Sequence, residues 1–311
     1  MLNHFPILQV ILPLLGAPAC LLLSKPRLAW LFATLVGVLA FAVSLSLLQQ
    51  VYDQGEIRYA LGGWDAPWGI EYRIDLLSAY LLVIVSAIGA LMLAAAQSSI
   101  ALELEPQKHR LFYVAYLLCL AGLLGIIATG DAFNVFVFLE ISSLTMYSLI
   151  AIGKDRRALW AAYQYLILGT IGATFILIGI GFMYMMTGTL NMQDLMQRLP
   201  AVASSHTVFA AYAFIVVGVC LKLALFPLHF WLPNAYSYAP SIVTAFLAAT
   251  ATKVAVYLLI RFHVTVFGIE FSAIKEPLQN IFTLLGLVAV FSASLVAIYQ
   301  DNIKRAIAYS S

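Results

Sequence analysis

Apolar residues fill the chain in runs of about twenty, and short linkers between the runs hold nearly all the charge. Runs at about 7–23, 28–50, 76–97, 111–129, 132–152, 159–187, 207–236, 239–262 and 278–299 are each long enough to cross a bilayer as a helix. Another helix starts near Ile303. A membrane barrel would show short segments of alternating polarity instead. The pattern therefore predicts an all-α, polytopic transmembrane helix bundle of about nine spans plus the start of a tenth. The seventh run carries Pro227 and Pro233 and is expected to be a broken helix. The sixth holds Gly169, Gly172, Gly179 and Gly181, small residues that allow close helix packing.

The linkers set an orientation. Odd-numbered linkers hold nine basic residues, Lys25, Arg27, Lys108, Arg110, Lys154, Arg156, Arg157, Lys304 and Arg305; even-numbered ones hold five, Arg58, Arg73, Arg198, Arg261 and Lys275. The positive-inside rule then places the N-terminus outside. No basic stretch precedes the first apolar run, which favours a retained span over a cleaved signal. The second linker, 52–75, is rich in turn-forming, aromatic and acidic residues, as suits a short β-type cover on the outer face with Trp64 and Trp68 at headgroup level.

Composition agrees. The chain is 63% hydrophobic and 10% charged, too few charges to coat a water-facing surface. A net charge of +2 without a basic patch excludes nucleic acid as a partner. Cys20, Cys119 and Cys220 stand singly in apolar runs and read as buried thiols. No phosphate-binding loop, dinucleotide fingerprint or metal-spaced Cys/His cluster is present, so no cofactor is expected and any driving force must come from an ion gradient or a partner subunit.

Three ionisable residues lie deep in spans. Glu140 stands about 13 Å into the fifth, near the midplane. Lys253 stands near the middle of the eighth, and Lys222 lies five residues before Pro227. Charges at this depth are costly and mark pathways, with a structural ion pair as the plain alternative. Two lysines against one glutamate leave one cation without an acidic partner, and an unpaired buried lysine tends to release its proton. A Glu140–Lys222 pair that closes and opens would therefore act as a switch. His229, seven residues beyond Lys222, exchanges protons near neutral pH. Backbone carbonyls freed at Pro227 and Pro233 could order water, and Tyr236, Ser237 and Tyr238 could line the same region. Asp131 and Asn134 read as a helix cap. Lys304 and Arg305 read as interfacial anchors.

Three motifs carry a family resemblance. Residues 129–141, Thr-Gly-Asp-Ala-Phe-Asn-Val-Phe-Val-Phe-Leu-Glu-Ile, resemble the fifth-helix motif of the antiporter-like subunits shared by respiratory complex I, membrane-bound hydrogenases and Mrp-type cation/proton antiporters. Residues 222–233 resemble their Lys-x-x-x-x-Pro-x-His-x-Trp-Leu-Pro motif, and residues 301–311 their Asp-x-x-Lys-Arg-x-x-Ala-Tyr-Ser-Ser motif. The wording is most similar to the D subunit of the Mrp antiporters. The resemblance implies two inverted five-helix repeats, each a half-channel, with Glu140 and Lys222 as the functional pair and His229 and Lys253 as onward relays. On that basis 1–110 is an N-terminal unit, 111–262 the first, proton-translocating repeat, and 278–311 the start of a second. Where the family usually continues Leu-Pro-Asp-Ala-His, this chain reads Leu232-Pro233-Asn234-Ala235-Tyr236, without that acid and second histidine. The chain stops in the tenth helix, so a truncated or split product lacking the second half-channel is expected.

The leading expectation is a proton-translocating subunit of an Mrp-type Na⁺/H⁺ antiporter in a bacterial cytoplasmic membrane, assembled with other membrane subunits in the lipid bilayer. The alternatives are the matching proton-pumping subunit of a redox complex, complex I or a membrane-bound hydrogenase, and a non-conducting scaffold.

Overall fold

A computed structural model describes residues 4–268, 271 and 275–310. Ser311, the last residue of the third motif, lies outside the described residues, as does the side chain of Lys275. The apolar runs form α1 (Phe5–Leu22), α2 (Pro26–Gln54), α3 (Leu76–Glu103), α4 (His109–Ala128), α5 (Ala132–Ala151), α6 (Arg156–Thr187), α8 (His206–Leu223), α10 (Ser241–Ile260) and α11 (Lys275–Ile298). Shorter helices are α7 (Met192–Arg198), α9 (Trp231–Tyr238) and α12 (Ile303–Ser310). Among the described residues nine helical stretches are long and apolar enough to cross a membrane. The expected seventh span is two pieces, α8 and α9. The seven-residue α7 was not expected: it is polar, caps itself with Asn191, and is too short for a periodic signal.

Polar residues in the linkers fix the helix ends. Asp75 and Ser78 form a reciprocal capping box at the start of α3. Asp131 accepts the Asn134 N–H at 2.7 Å to cap α5, as expected, and Asp155 and Ser205 cap α6 and α8. Left-handed Gly188 ends α6. The second linker is an antiparallel hairpin of β1 (Ile57–Ala60) and β2 (Glu71–Ile74), with Ile57 opposite Ile74. Arg73 and Arg58 both donate to Glu56 beside it, and the Arg73 bond is the main reason the Glu56 carboxyl sits below its ordinary value. Trp64 and Trp68 stay exposed. The hairpin grips the α4–α5 turn: the Gly130 N–H donates to the Glu71 carbonyl at 2.9 Å, and Gly130 in turn accepts from Met192 at 2.9 Å.

Helix α4 is buried along most of its length, against α1, α2, α3, α5 and α10. The α6–α8 interface is closest at glycines, as the sixth run suggested. A Cβ on Gly218 would sit 2.5 Å from the Gly172 carbonyl oxygen, and one on Gly179 would sit 2.7 Å from that of Ala211. Gly169 faces the Tyr147 hydroxyl, whereas Gly181 faces open space and takes no part in the packing. Gly218→Ala should therefore push α8 off α6 and destabilise the protein by about 1–3 kcal/mol, read as a lower melting temperature of the purified protein in detergent. Gly181→Ala should leave it unchanged.

Candidate functional site

Helix α5 places Glu140, Ser143 and Tyr147 on one face, at positions i, i+3 and i+7. Packed across from that face is the last turn of α8, and there Lys222, only 7% exposed, donates to Ser143 Oγ at 2.7 Å and reaches Tyr147 OH at 3.5 Å. Neither Ser143 nor Tyr147 was anticipated from sequence; their spacing from Glu140 was the available signal. Glu140 does not form the expected direct ion pair. No carboxylate among the described residues lies within 4.0 Å of Lys222, because Ser143 occupies the contact position. Glu140 stays within electrostatic reach of the lysine, and its Oε1 is buried with no hydrogen-bond partner among the described residues.

The chain turns sharply just past Lys222. Ala224 adopts a left-handed conformation (φ 58°, ψ 40°), the only non-glycine with positive φ among the described residues, at a cost of about 1–2 kcal/mol. The Leu225 N–H returns to the Cys220 carbonyl at 3.0 Å, and Trp231 Nε1 donates to the Leu221 carbonyl at 3.0 Å. Trp231 lies flat on Tyr165 at 3.8 Å, and Tyr165 meets Tyr147 edge-on at 4.7 Å. This aromatic stack locks the break against the lysine's own partner. Pro227 lies within the break, between α8 and α9, but Pro233 breaks nothing. It occupies the first turn of α9, where no ladder bond is lost, and its carbonyl accepts from Ser237 Oγ at 2.6 Å. The expectation that both prolines free carbonyls for water is thus corrected: the Leu221 and Pro233 carbonyls have protein donors.

The four expected relay residues fall into two groups. Lys222 opens on a cavity of about 30 Å³ bordered by Ser142, Ser143 and Tyr165, room for one water. His229 and Lys253 share a different cavity of about 340 Å³, closed by Ala289 and Ala293 of α11 and Tyr309 of α12. In it Lys253 Nζ donates to the Ala248 carbonyl at 2.8 Å and contacts Thr252 Oγ1 at 3.3 Å. The His229 ring stacks between Phe226 and Phe230 at 5.3 and 5.1 Å, with Nδ1 buried and unpartnered among the described residues.

The remaining candidates lie at the ends of the bundle. Lys304 Nζ donates to Ser241 Oγ at 2.9 Å, and the Ser241 N–H donates to Glu103 at 2.7 Å, tying α12 to the ends of α10 and α3. Asp131 is at the opposite end, beside Asn191 and Glu71; burial pushes its carboxyl above the ordinary value and the Glu71 charge adds to that. Arg261, read from sequence as a linker charge only, forms an ion pair with Asp75 and donates to Tyr257 OH at 2.9 Å. Tyr257 donates onward to the Ile127 carbonyl at 2.9 Å, so this network clamps α10 to α3 and α4. All three cysteines are buried free thiols.

A bundle of apolar helices, broken beside a buried lysine and holding a second lysine in a neighbouring cavity, defines a class: membrane proteins organised around intramembrane ionisable groups. The family described as NADH:quinone oxidoreductase/Mrp antiporter, TM, matches residues 129–311, and the chain belongs to that family. It is an antiporter-like membrane subunit of Mrp or complex I type. It is 43% identical over 314 residues to NADH-quinone oxidoreductase subunit N of Desulforudis audaxviator, covering 100% of this chain and 62% of the relative. It is 30% identical over 306 residues to the D subunit of the Na(+)/H(+) antiporter of Bacillus subtilis, covering 96% of this chain and 62% of the relative. Among solved structures, a chain of the archaeal membrane-bound sulfane sulfur reductase superposes with a TM-score of 0.88 at 31% identity, over 98% of this chain and 62% of that one. A chain of the Mrp complex from Dietzia also gives 0.88, at 24% identity over 99% and 56%, a likeness of fold alone. The chain thus spans about three-fifths of the length of these relatives.

Proposed function

We propose that this chain is a proton-translocating subunit of a multisubunit membrane complex, with Lys222 as the group that takes up and releases the proton. One observation carries the reading: the Lys222 ammonium is buried, has no carboxylate in contact among the described residues, and is held only by the Ser143 and Tyr147 hydroxyls. A lysine tied to neutral acceptors pays desolvation without an ion pair, so its charge is easily given up and easily restored. Glu140, one helix turn away on α5, biases that exchange electrostatically. His229 and Lys253 provide the next proton-bearing groups.

A redox partner is the preferred driver. The higher identity to a quinone oxidoreductase subunit supports it, against 30% for the antiporter subunit. Na⁺/H⁺ exchange is the second reading, supported by the antiporter relatives that match nearly the whole chain. The membrane is read as a bacterial cytoplasmic membrane with the N-terminus outside. Purification of the native assembly tests the assignment. Under the first reading iron–sulfur or flavin partners co-purify and their reduction drives proton uptake by vesicles; under the second those partners are missing and a Na⁺ gradient drives it. Proton movement under neither condition contradicts both.

A further inference from the structure

The two cavities lie on opposite sides of α10. Ala251, Val254, Ala255 and Leu258 border the Lys222 cavity, whereas Thr252, Lys253 and Val256 border the one shared with His229. At about 100° per residue these sets fall on opposing faces of the helix. A proton leaving Lys222 therefore needs a polar group that reaches past α10, and α10 itself offers an apolar face towards Lys222.

Tyr236 on α9 meets that need. The residue is 4% exposed, yet its hydroxyl has no hydrogen-bond partner among the described residues. Leaving a buried hydroxyl unpaired costs about 1–3 kcal/mol, a penalty that chains avoid unless the group has a use. The same hydroxyl is the electrostatic neighbour of Tyr165, which borders the Lys222 cavity, and of Thr252, which faces it without completing a hydrogen bond. Thr252 itself contacts Lys253 Nζ at 3.3 Å. The backbone at Tyr236 is pinned, since its carbonyl accepts from Thr244 Oγ1 at 2.8 Å. The orphan hydroxyl is thus fixed between the two compartments.

We propose that the Tyr236 hydroxyl is the hand-over group between the Lys222 cavity and the His229–Lys253 cavity; this rests on the proton-translocation reading above. The phenol oxygen accepts a proton arriving from the Lys222 side while its own hydroxyl proton passes to Thr252. The Thr252 hydroxyl proton moves on to the neutral Lys253 amine. Only O–H and N–H bonds form and break, the charge crosses as a single proton, and rotation of the two hydroxyls resets the path.

The test is proton flux of the whole complex in proteoliposomes, with assembly followed by co-purification. Tyr236→Phe, which removes one oxygen and keeps the ring, is expected to lower flux at least about tenfold with assembly intact. Tyr236→His, whose imidazole also accepts and donates, is expected to restore most of it. If Tyr236→Phe conducts normally while Lys222→Ala does not, the hand-over role is overturned and the Lys222 reading stands. If both variants conduct normally, the translocation reading itself fails. If the Phe and His variants assemble and both lose flux, ring shape rather than proton transfer is what matters at this position, which also overturns the role.

Discussion

Replacing Glu140 by glutamine is expected to lower proton flux through the assembled complex at least about tenfold while leaving its melting temperature nearly unchanged. The carboxamide keeps the shape of the side chain and removes only its charge. That charge is not engaged in a bond that holds helices together: Oε1 is buried without a donor among the described residues, and Lys222 is bonded to Ser143 instead. What glutamine removes is a long-range bias. Two charges about one helix turn apart, at an effective dielectric of about 20, interact by roughly 2–3 kcal/mol. A bias of that size shifts the fraction of protonated Lys222 by more than about tenfold, because each 1.4 kcal/mol is a factor of ten. Flux in proteoliposomes beside a thermal melt checks both halves. A large loss of stability in Glu140→Gln would mark Glu140 as a structural tie instead.

The spans were legible because an apolar run of about twenty residues has few other readings. Their ends shifted by a few residues where caps decide, as at Pro26, Asp155 and Ser205, local chemistry that a hydrophobicity pattern does not resolve. The β-type cover was legible from its turn residues, whereas α7 left no periodic trace. Glu140, Lys222 and Lys253 stood out as the charges deep within spans. Their grouping did not. Serine and tyrosine in an apolar helix are ordinary, so Ser143 and Tyr147 gain meaning only once α8 is packed against α5. The division into two cavities depends on the rotational setting of α10, where the stretch Ala248-Ala249-Thr250-Ala251-Thr252-Lys253 has no dominant polar face to read. The clamp made by Arg261, Asp75 and Tyr257 joins residues 186 positions apart and was equally hidden.

Lys222→Ala separates a strut from a relay. A strut would be missed by the fold. Here the alanine variant loses two hydrogen bonds, about 0.5–1.5 kcal/mol each, and is relieved of a buried ammonium that no carboxylate among the described residues contacts. The two effects offset, so the variant complex should assemble and melt close to the unmodified one. Transport should behave oppositely. With no titratable group at the end of α8, the path has nothing to receive the proton, and flux should fall by about a hundredfold or more. The deciding measurement is proton flux of the Lys222→Ala complex in proteoliposomes, read beside its melting temperature. The account predicts that flux is abolished at unchanged stability; flux that survives in a fully assembled Lys222→Ala complex would contradict it.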